Sequence, residues 1–484
     1  MFRAAVITPK DFPRILNPVN EDILVSRMVH DFVSKSIAWP VLRLQQRLRP
    51  SRRAIAAARD HALGFRTESR DWPDARKQEW VLQRLRTVIR DAVSTTPYYA
   101  KVLNAIGFDI ANFSFDDFAR VPVLERRDIL RSQDTMISRT IDKALLRPDS
   151  SGGSTGEPTK IWVGPEEELW HSTAREFYMR QLGIIPGSRI AYLWGHHLDP
   201  VAKNSFKEKI SGLINNHRWF DCFRLSPEIL GRYHEEMERY QPECIVAYAS
   251  ALVALAQFLF ENNLRPSYPR RCIVTGAEKL YDSQREAAEN VFRKPIYERY
   301  GSRDAGMIGI QQEIPRSRDF IVDWPNLLVE PETTAPDTAI LVTKLHADGM
   351  PMIRYRTGDV GMFPMGSNPG HPAFRILGVV GRETEKIWLP NGSFIHGIQF
   401  PHLFKEFPVR EFMVLQAEDY SITVQVVPGP KFAQDSKSSI LDMICRNLPG
   451  IPVTITLVDY IAKTQANKWR PVVSHVPGRT DSKK

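Results

Sequence analysis

The chain has 484 residues, 43% of them hydrophobic and 25% charged, which is the composition of a globular protein with two to four domains. No stretch approaches the roughly 20 apolar residues that a membrane-spanning helix needs, and the first ten residues lack the apolar core of a secretory signal. The four cysteines form no CxxC pair, which argues against a zinc cluster or a disulfide scaffold and fits a reducing cytosol. The net charge of +9 decides little between nucleic acid, membrane and nucleotide partners.

The N-terminal segment, residues 1–75, is predicted to be a basic helical extension. Apolar residues recur at helical spacing from Val25 to Ile37, and six arginines lie from Arg43 to Arg59 with no acidic residue among them. An apolar face beside a basic face suits a helix on a membrane surface. It also suits an extension that packs on the protein's own surface, and we favour this second interpretation.

The rest of the chain is predicted to form a large α/β core, residues 76–380, and a small α+β unit, residues 381–484. A helix covers Val81 to Val93, and after about Ser150 apolar strands alternate with helices, which favours α/β layers with a largely parallel sheet. The expected strands are 160–163, 190–194, 244–248, 272–275 and 296–300, and the expected helices between them are 251–262 and 282–292. Near the C-terminus we expect two strands within 412–427, a helix at 438–448 and a strand at 453–458.

A loop rich in glycine, serine and threonine is the first candidate site. Its backbone N–H groups and hydroxyls are suited to surround phosphate oxygens, because glycine admits unusual backbone angles and close approach. No Gly-Lys-Ser/Thr follows, so it is not a Walker loop, and a loop of this kind taken alone is more often a linker. The candidate residues are Ser151, Gly152, Gly153, Ser154, Thr155 and Gly156.

Two further candidates follow predicted strands. Gly276-Ala277-Glu278 forms a small-residue turn after the strand 272–275, at the edge where α/β proteins place ligands. Tyr300-Gly301-Ser302-Arg303-Asp304 comes just past the strand 296–300. An aromatic ring there can stack on a nucleobase, and the carboxylate can hold magnesium that accompanies a nucleotide. An ordinary turn explains either segment on its own.

Three candidates lie in the last third of the chain. Tyr355-Arg-Thr-Gly-Asp359 is predicted to be a turn whose Asp359 accepts hydrogen bonds from ribose hydroxyls. Arg382 follows Gly381 at the predicted domain boundary, and Lys468 lies near the C-terminus. Without further context, the first is a polar hairpin turn and Lys468 is a solvated side chain.

In this order, the segments resemble the adenylate-forming superfamily of acyl-CoA synthetases. They are most similar to the phenylacetate–CoA ligase family, in its branch linked to capsular polysaccharide biosynthesis. The resemblance runs from Glu79 to Ser474, and Tyr355–Asp359 is its most specific motif. Other segments typical of that branch are Leu82–Leu85, Pro97–Tyr99, Val121–Leu130, Arg189–Gly195 and Leu389–Gly392.

The resemblance implies ATP-dependent activation of a carboxylic acid as its acyl-AMP, followed by transfer to CoA, with ATP, Mg²⁺ and CoA as the small molecules bound. The glycine-rich loop would grip the β- and γ-phosphates, and Gly276–Glu278 would line the adenine site. Tyr300 would stack on the base, Asp359 would hold the ribose, and Asp304 would bind magnesium. Arg382 and Lys468 would be catalytic, and the small C-terminal domain would rotate between the two half-reactions.

The sequence departs from the family pattern at four of these positions. Asp304 stands for the usual glutamate, and Gly152 replaces a hydroxyl residue in the phosphate loop. Thr384 lies at the pivot, where an acid or lysine is usual, and Asn467 precedes the lysine, where glycine is usual. No charged catalytic group is lost, so the departures bear on the second half-reaction more than on adenylation.

The pocket for the acyl group is formed by scattered residues without a sequence motif, so the acid itself is not predicted. The resemblance places one of His196 and His197 in the wall of this pocket, and Trp194 and Tyr248 either line it or belong to the core. Adjacent histidines in a strand point to opposite faces and are poor joint metal ligands. Hydrolase and dehydrogenase functions have no motif, since neither GxSxG nor a GxGxxG after a strand occurs.

Two alternatives remain open. The acyl group could pass to an amine, a hydroxyl or a carrier-protein thiol instead of CoA. In a different class, a degenerate homologue would use its basic N-terminus to bind membrane or nucleic acid, which the retention of Asp359, Arg382 and Lys468 argues against. We expect a cytoplasmic protein, with peripheral contact at the inner membrane surface as a further option, and no nucleic-acid partner.

Overall fold

The computed structural model describes the chain with several gaps. The described residues are 50–150, 159–194, 216–222, 225–312, 318–382, 386–390, 394–396, 399–404, 407–429, 432–448, 450–461 and 471–476. The helix predicted from Val25 to Ile37 therefore lies outside the described residues.

Helices cover the sheets, and those predicted between the strands are confirmed. In chain order they are α1 (Pro50–Ser69), α2 (Asp74–Thr95), α3 (Pro97–Ala105), α4 (Phe115–Phe118), α5 (Arg126–Met136), α6 (Pro165–Gln181), α7 (Pro227–Tyr240), α8 (Ala249–Glu261), α9 (Asp282–Phe292), α10 (Gln399–Phe404) and α11 (Gln434–Asn447). Helix α2 ends as predicted, because Thr96 takes an extended backbone before Pro97. None of these helices is long and apolar enough to cross a membrane, as far as the described residues extend.

The strands belong to two larger sheets, a separate C-terminal sheet and two hairpins. In chain order they are β1 (Arg147–Ser150), β2 (Lys160–Val163), β3 (Ile190–Trp194), β4 (His217–Asp221), β5 (Cys244–Tyr248), β6 (Cys272–Gly276), β7 (Ile296–Ser302), β8 (Gly306–Ile310), β9 (Phe320–Val322), β10 (Leu327–Pro331), β11 (Asp337–Lys344), β12 (Tyr355–Met362), β13 (Arg375–Ile376), β14 (Gly378–Arg382), β15 (Lys386–Trp388), β16 (Phe394–His396), β17 (Val409–Gln416), β18 (Ile422–Pro428), β19 (Val453–Leu457) and β20 (Val472–Ser474).

The largest sheet has eight strands in the order β13-β9-β8-β7-β6-β5-β3-β4. From β4 to β7 neighbouring strands are parallel, and from β7 to β13 they are antiparallel. All five residues of β5 and of β6 are buried, as expected for central strands covered on both faces by helices. The predicted parallel sheet is thus confirmed for its first half, and antiparallel strands continue it beyond β7.

A second sheet, β10-β11-β12-β14, is entirely antiparallel. It contains Tyr355–Asp359, which we predicted to be a turn, so that prediction is wrong. The turn-forming residues are accommodated by a bulge: Arg356 pairs with Leu341 and Val360 with Ala339, which leaves Thr357–Asp359 opposite Ile340. Gly358 takes φ +79° in this bulge, a backbone conformation that glycine adopts without strain.

Helix α1 packs on the α/β core. Its Phe65 ring lies 4.9 Å from the ring of Trp80 on α2, measured between centroids. Arg66 is fully buried in an ion pair with Asp323, and its second terminal nitrogen donates to the Trp170 carbonyl oxygen at 3.1 Å. Arg59 pairs with Glu176 of α6. From residue 50 onward, the basic segment is therefore in contact with the protein's own surface.

The C-terminal residues form a small sheet, β19-β18-β17-β20, with α11 packed against it. Its hydrophobic core runs from Ile387 to Val472 and is distinct from the cores of the preceding residues. The strands and helix agree with the predicted α+β unit to within a few residues at their ends. The limits at residues 75 and 380 stay predictions.

Candidate functional site

The parallel strands of the large sheet end at one edge, and several predicted site residues meet there. Trp194, Tyr248 and Gly276 are the last residues of β3, β5 and β6, and Tyr300 lies near the end of β7. This is the edge at which open α/β sheets bind ligands.

The turn after β6 is held by its charged residues. Ala277 adopts φ +67°, an unusual angle for a residue with a side chain. Glu278, predicted to line the adenine site, accepts a hydrogen bond at 2.9 Å from the backbone N–H of Ser250 in the first turn of α8. Lys279 reaches the second sheet and donates to the carbonyl oxygens of Val379 and Val380 at 2.8 and 3.2 Å. The turn therefore ties the carboxyl edge of the large sheet to β14.

Strand β7 contains Tyr300, the last residue of the predicted strand, and extends two residues beyond it. The pairing of β7 with β8 shifts register between Tyr300 and Gly301, and the strand continues to Ser302. A Cβ on Gly301 would lie 2.3 Å from the carbonyl oxygen of Gly306, so only glycine fits this close approach of the two strands. The shift lets β7 carry Tyr300 at the edge and still form the turn that holds Asp304.

The two motifs on β7 and β12 are joined by a crossed pair of hydrogen bonds. The Tyr300 hydroxyl donates to Asp359 Oδ2 at 2.9 Å, and the Tyr355 hydroxyl donates to Asp304 Oδ2 at 3.0 Å. We call these four residues the crossed pairs. Each motif supplies one tyrosine and one aspartate, so the carboxylates predicted for ribose and for magnesium are oriented by the opposite motif.

The bulge of β12 fixes the position of Asp359. The Thr357 hydroxyl donates to the Ile340 carbonyl oxygen at 3.0 Å and accepts from the Asp359 backbone N–H at 3.2 Å. Asp359 also pairs with Arg382 across β12 and β14, which places the two predicted ribose or phosphate contacts side by side on neighbouring strands. The side chain of Arg382 lies outside what the structure describes.

Buried groups behind β12 hold the start of the motif. Arg354 makes a two-pronged ion pair with Glu330, both bonds being 3.0 Å, and both side chains are buried. Leu124 belongs to the segment Val121–Leu130, which is typical of the branch, and exchanges backbone hydrogen bonds of 3.0 Å with Arg354 and Arg356. This segment and the Tyr355–Asp359 motif are therefore in direct contact, although more than 200 residues separate them in the sequence.

A second group of side chains lies along the same edge. Tyr248 pairs with Gly276, and Gly276 pairs with Arg299, on neighbouring parallel strands. Trp194 lies beside Tyr248, because the residues that precede them, Leu193 and Ala247, are paired. The Trp194 and Tyr248 rings meet edge to face at 4.2 Å, and the Arg299 guanidinium carbon lies 5.6 Å from the Trp194 ring centroid. We call Trp194, Tyr248, Gly276 and Arg299 the edge row.

Sequence reasoning did not identify Arg299 or Lys279. One signal for Arg299 was present, because a charged residue is unusual within the apolar run of a central parallel strand. Lys279 follows the Gly276–Glu278 turn, and nothing in its neighbourhood indicates that it bridges two sheets.

Several predicted site residues lie outside the described part of the chain. These are the phosphate loop, His196, His197, Thr384, Asn467 and Lys468. Within the described ranges, no cluster of three or more His, Cys, Asp or Glu side chains is placed to hold a metal ion.

Comparison with known proteins supports the resemblance. No protein-family model matches the chain. It is 19% identical to Protein CapK of Staphylococcus aureus over 57% of this chain and 61% of that protein. It is 22% identical to phenylacetate-coenzyme A ligase of Pseudomonas putida over 63% of this chain and 70% of that protein. The aligned regions thus span about two thirds or less of most curated relatives, for example 64% of the phenylacetate-coenzyme A ligase of Aromatoleum evansii.

Solved structures show the same fold. 2-Hydroxyisobutyryl-CoA ligase, in its postadenylation state with R3-HIB-AMP, matches with a TM-score of 0.67 at 18% identity, covering 83% of this chain and 90% of that chain. An open conformation of that ligase with 2-HIB-AMP and CoA matches with a TM-score of 0.54. The predicted fold class is confirmed, and so is the resemblance to adenylate-forming ligases and their phenylacetate–CoA ligase-like branch.

Proposed function

We propose that this protein is an ATP-dependent ligase that activates a carboxylic acid as its acyl-AMP. The crossed pairs are the observation that carries the proposal. They join the Tyr300–Asp304 and Tyr355–Asp359 motifs near the carboxyl ends of the parallel strands, where open α/β sheets bind ligands, and both carboxylates are oriented by tyrosine hydroxyls. The similarity to phenylacetate–CoA ligases supports the same conclusion.

In this proposal, the nucleotide lies across the crossed pairs. Tyr300 provides an aromatic face for adenine, and Asp359 accepts hydrogen bonds from the two ribose hydroxyls, for which an ionised carboxylate is a strong acceptor. Gly276–Glu278 borders the base through its backbone, since the Glu278 carboxylate is engaged by the Ser250 N–H. Arg382, beside Asp359 on β14, contacts ribose or phosphate.

The carboxylate of Asp304 fits magnesium that enters with ATP. Protein sites for this ion commonly supply one or two carboxylates and leave the other positions to phosphate oxygens and water. Asp304 would hold it, with Tyr355 orienting the carboxylate. When bound, magnesium neutralises phosphate charge.

The reaction follows from bringing two anions together. An oxygen of the substrate carboxylate attacks the α-phosphorus of ATP, a new oxygen–phosphorus bond forms, and the bond to the leaving pyrophosphate breaks. Positioning and neutralisation of charge dominate such a phosphoryl transfer. We assign binding of the β- and γ-phosphates to Ser151–Gly156 and stabilisation of the developing negative charge to Lys468.

The proposed acceptor of the acyl group is CoA. A thiolate attacks the acyl carbon, a thioester forms, and AMP leaves. The small C-terminal domain, residues 381–484, would rotate about the region of Thr384 between the two half-reactions. Transfer to an amine, a hydroxyl or a carrier thiol uses the same acyl-AMP, so the acceptor is tested separately from the activation step.

ATP–pyrophosphate exchange tests the activation step. Aryl, fatty, amino and sugar acids should be offered in turn, with Lys468→Ala as the matched inactive protein. We expect at least one acid to stimulate exchange in the native protein and not in the variant. If no acid stimulates exchange above the variant, the proposed function is wrong.

The acceptor is tested separately. With an acid that supports exchange, AMP release that depends on CoA supports the thioester product, and release that depends on an amine or carrier protein supports the alternative. Contact of the basic N-terminus with membranes is a further prediction, as is a cytoplasmic location. Retained ATP turnover with reduced binding to anionic vesicles after deletion of residues 1–49 would support the membrane contact.

A further inference from the structure

Within the described part of the chain, Arg299 has no acidic partner, in contrast to the other buried arginines whose partners the structure shows. Arg66, Arg285 and Arg354 each form an ion pair with a carboxylate, provided by Asp323, Glu298 and Glu330. Arg299 is partly buried, and its guanidinium forms no hydrogen bond or ion pair with any described residue. The guanidinium lies over the face of the Trp194 ring.

The surroundings of Arg299 are positive rather than negative. Burial lowers the pKa of its guanidinium, and the positive charge of Arg175 on α6 lowers it further. Among the described groups that act on this pKa, Tyr192 and Cys244 oppose the shift, and no carboxylate does. A desolvated charge of this kind is costly unless an opposite charge meets it, and none of the described residues supplies one. An anionic group of a ligand would therefore be stabilised beside Arg299.

The edge row leaves space for an anionic group next to Arg299. Gly276 has no side chain, and a Cβ there would lie 3.2 Å from the Arg299 carbonyl oxygen and 3.6 Å from Nε, so the guanidinium crosses the space above Gly276. Trp194 and Tyr248 form an aromatic wall beside it. Burial raises the pKa of Tyr248 to about 12, so its hydroxyl remains protonated and able to donate a hydrogen bond.

The edge row is also correctly placed relative to the proposed nucleotide. Arg299 and Tyr300 are consecutive residues of β7, and successive side chains of a strand project to opposite faces. A ligand along the edge row therefore approaches the nucleotide around the end of β7. We place one end of a bound acid toward the α-phosphate of this proposed nucleotide and the other end toward Arg299.

We propose that the substrate is a carboxylic acid with a second anionic group, and that Arg299 binds this group while Trp194 and Tyr248 hold the body of the molecule. The planar fork of a guanidinium matches a second carboxylate or a phosphate with two parallel hydrogen bonds. Arg299 is a specificity-determining residue in this inference, which rests on the proposed activation of a carboxylate by ATP.

Matched acids test the inference through ATP–pyrophosphate exchange. The aryl series is phenylacetate, 4-carboxyphenylacetate and 4-(phosphonooxy)phenylacetate, and the aliphatic pair is hexanoate and adipate. We expect the native protein to favour a dianionic member over its monoanionic analogue by at least about tenfold in kcat/KM, the value of one charge-assisted hydrogen bond. The better dianion in the aryl series distinguishes a second carboxylate from a phosphate.

Three variants test whether Arg299 causes the preference for dianionic acids. Arg299→Leu should lower the dianion-to-monoanion ratio by about tenfold or more, and Arg299→Lys should retain part of it because the charge remains without the fork. Arg175→Leu is the matched control, since it removes a nearby exposed guanidinium outside the edge row, and its effect on the ratio should be smaller than that of Arg299→Leu. The melting temperature of Arg299→Leu should stay at or above that of the native protein, because the substitution leaves no carboxylate unpaired among the residues that the structure describes.

The outcomes separate this inference from the proposed function. A native protein that activates monoanions as well as dianions, with a ratio that Arg299→Leu does not change, overturns the inference and leaves adenylation intact. A lowered melting temperature of Arg299→Leu with an unchanged ratio assigns Arg299 a structural role and also overturns it. Absence of exchange with every acid overturns the proposed function itself.

Discussion

The crossed pairs join β7 of the large sheet to β12 of the second sheet, whereas the edge row lies entirely on strands of the large sheet. The two groups differ in whether the fold itself provides a partner for each charge. In the crossed pairs, each carboxylate receives a hydrogen bond from a tyrosine of the opposite motif, at 2.9 and 3.0 Å. In the edge row, the Arg299 guanidinium meets an aromatic ring and, within the described residues, no acid. The first arrangement is already organised by the fold, whereas in the second the residues that the structure describes supply no counter-charge.

The difference indicates a division of labour. A site that binds the same nucleotide in every turnover benefits from carboxylates held in one orientation before ATP arrives. A site that selects among acids benefits from a charge that the correct acid neutralises and an incorrect acid leaves unpaired. The following predictions test whether the two arrangements differ in this way.

Replacement of Asp359 should have the largest effect. Asp359→Ala removes the acceptor of both ribose hydroxyls, and each such charge-assisted hydrogen bond is worth about 1.5–3 kcal/mol, so we expect kcat/KM for ATP to fall by about 100-fold or more. Exchange rates over a range of ATP concentrations measure this loss. A variant with unchanged ATP dependence would show that Asp359 does not bind the nucleotide.

A paired and an unpaired arginine should respond differently to the same change. Arg354→Leu leaves Glu330 buried without its ion-pair partner, which should cost about 3–5 kcal/mol of the free energy of unfolding. Arg299→Leu leaves no carboxylate of the described residues unpaired and should not lower the free energy of unfolding. Chemical denaturation of both variants measures the contrast, and equal destabilisation would contradict the distinction between the two regions.

Acid pH should lower the free energy of unfolding through His171, which lies beside the β7–β8 turn. Burial, then the positive charges of Lys344 and Arg175, lowers the pKa of His171 to about 3, and its Nε2 would lie 2.7 Å from a Cβ on Gly306. The unfolded chain binds this proton near pH 6.5 and the folded chain does not, so stability is complete above pH 6.5 and declines as pH falls toward 3. At pH 5 this single group should cost about 2 kcal/mol.

The His171→Gln variant isolates this contribution from the titration of carboxylates. Its free energy of unfolding should fall less between pH 7 and pH 5 than that of the native protein. Parallel curves for the two proteins would show that His171 is protonated to the same extent in the folded and unfolded states.

Removal of one hydroxyl from the crossed pairs should have the smallest effect. Tyr300→Phe and Tyr355→Phe keep the rings but leave Asp359 or Asp304 without its tyrosine donor, and we expect kcat/KM for ATP to fall by about tenfold in each. Tyr98→Phe, which changes a tyrosine outside the site, serves as the control. Full activity of both site variants would mean that the carboxylates need no orientation by the opposite motif.

The strands were predictable where one physical signal dominated. β3, β5 and β6 are continuous apolar runs because helices cover both faces of the sheet, and their ends were placed to within a residue. β12 was predicted wrongly, because Thr357, Gly358 and Asp359 are turn-forming residues that the strand takes up in a bulge. A local pattern does not distinguish a turn that ends a strand from a bulge inside it.

The candidate site was predictable as a set of motifs but not as an arrangement. Tyr300 and Asp359 are 59 residues apart, and the hydrogen bond between them depends on how the two sheets meet. Arg299 was not predicted for a similar reason, since its position beside Gly276 and Trp194 depends on the register of neighbouring strands. The order of the motifs was enough to predict the chemistry. Arg299, which we propose selects the acid, could be identified only from contacts in the structure.

The most direct test of the central claim follows the oxygen atoms of the substrate. The acid that best supports exchange should be labelled with ¹⁸O in the carboxylate to be activated and incubated with ATP, magnesium and CoA or hydroxylamine as acceptor. Attack by the carboxylate on the α-phosphorus predicts AMP that carries one ¹⁸O from the acid, together with unlabelled pyrophosphate, as read by mass spectrometry. AMP without label, or ADP and labelled phosphate in its place, would contradict an acyl-AMP intermediate.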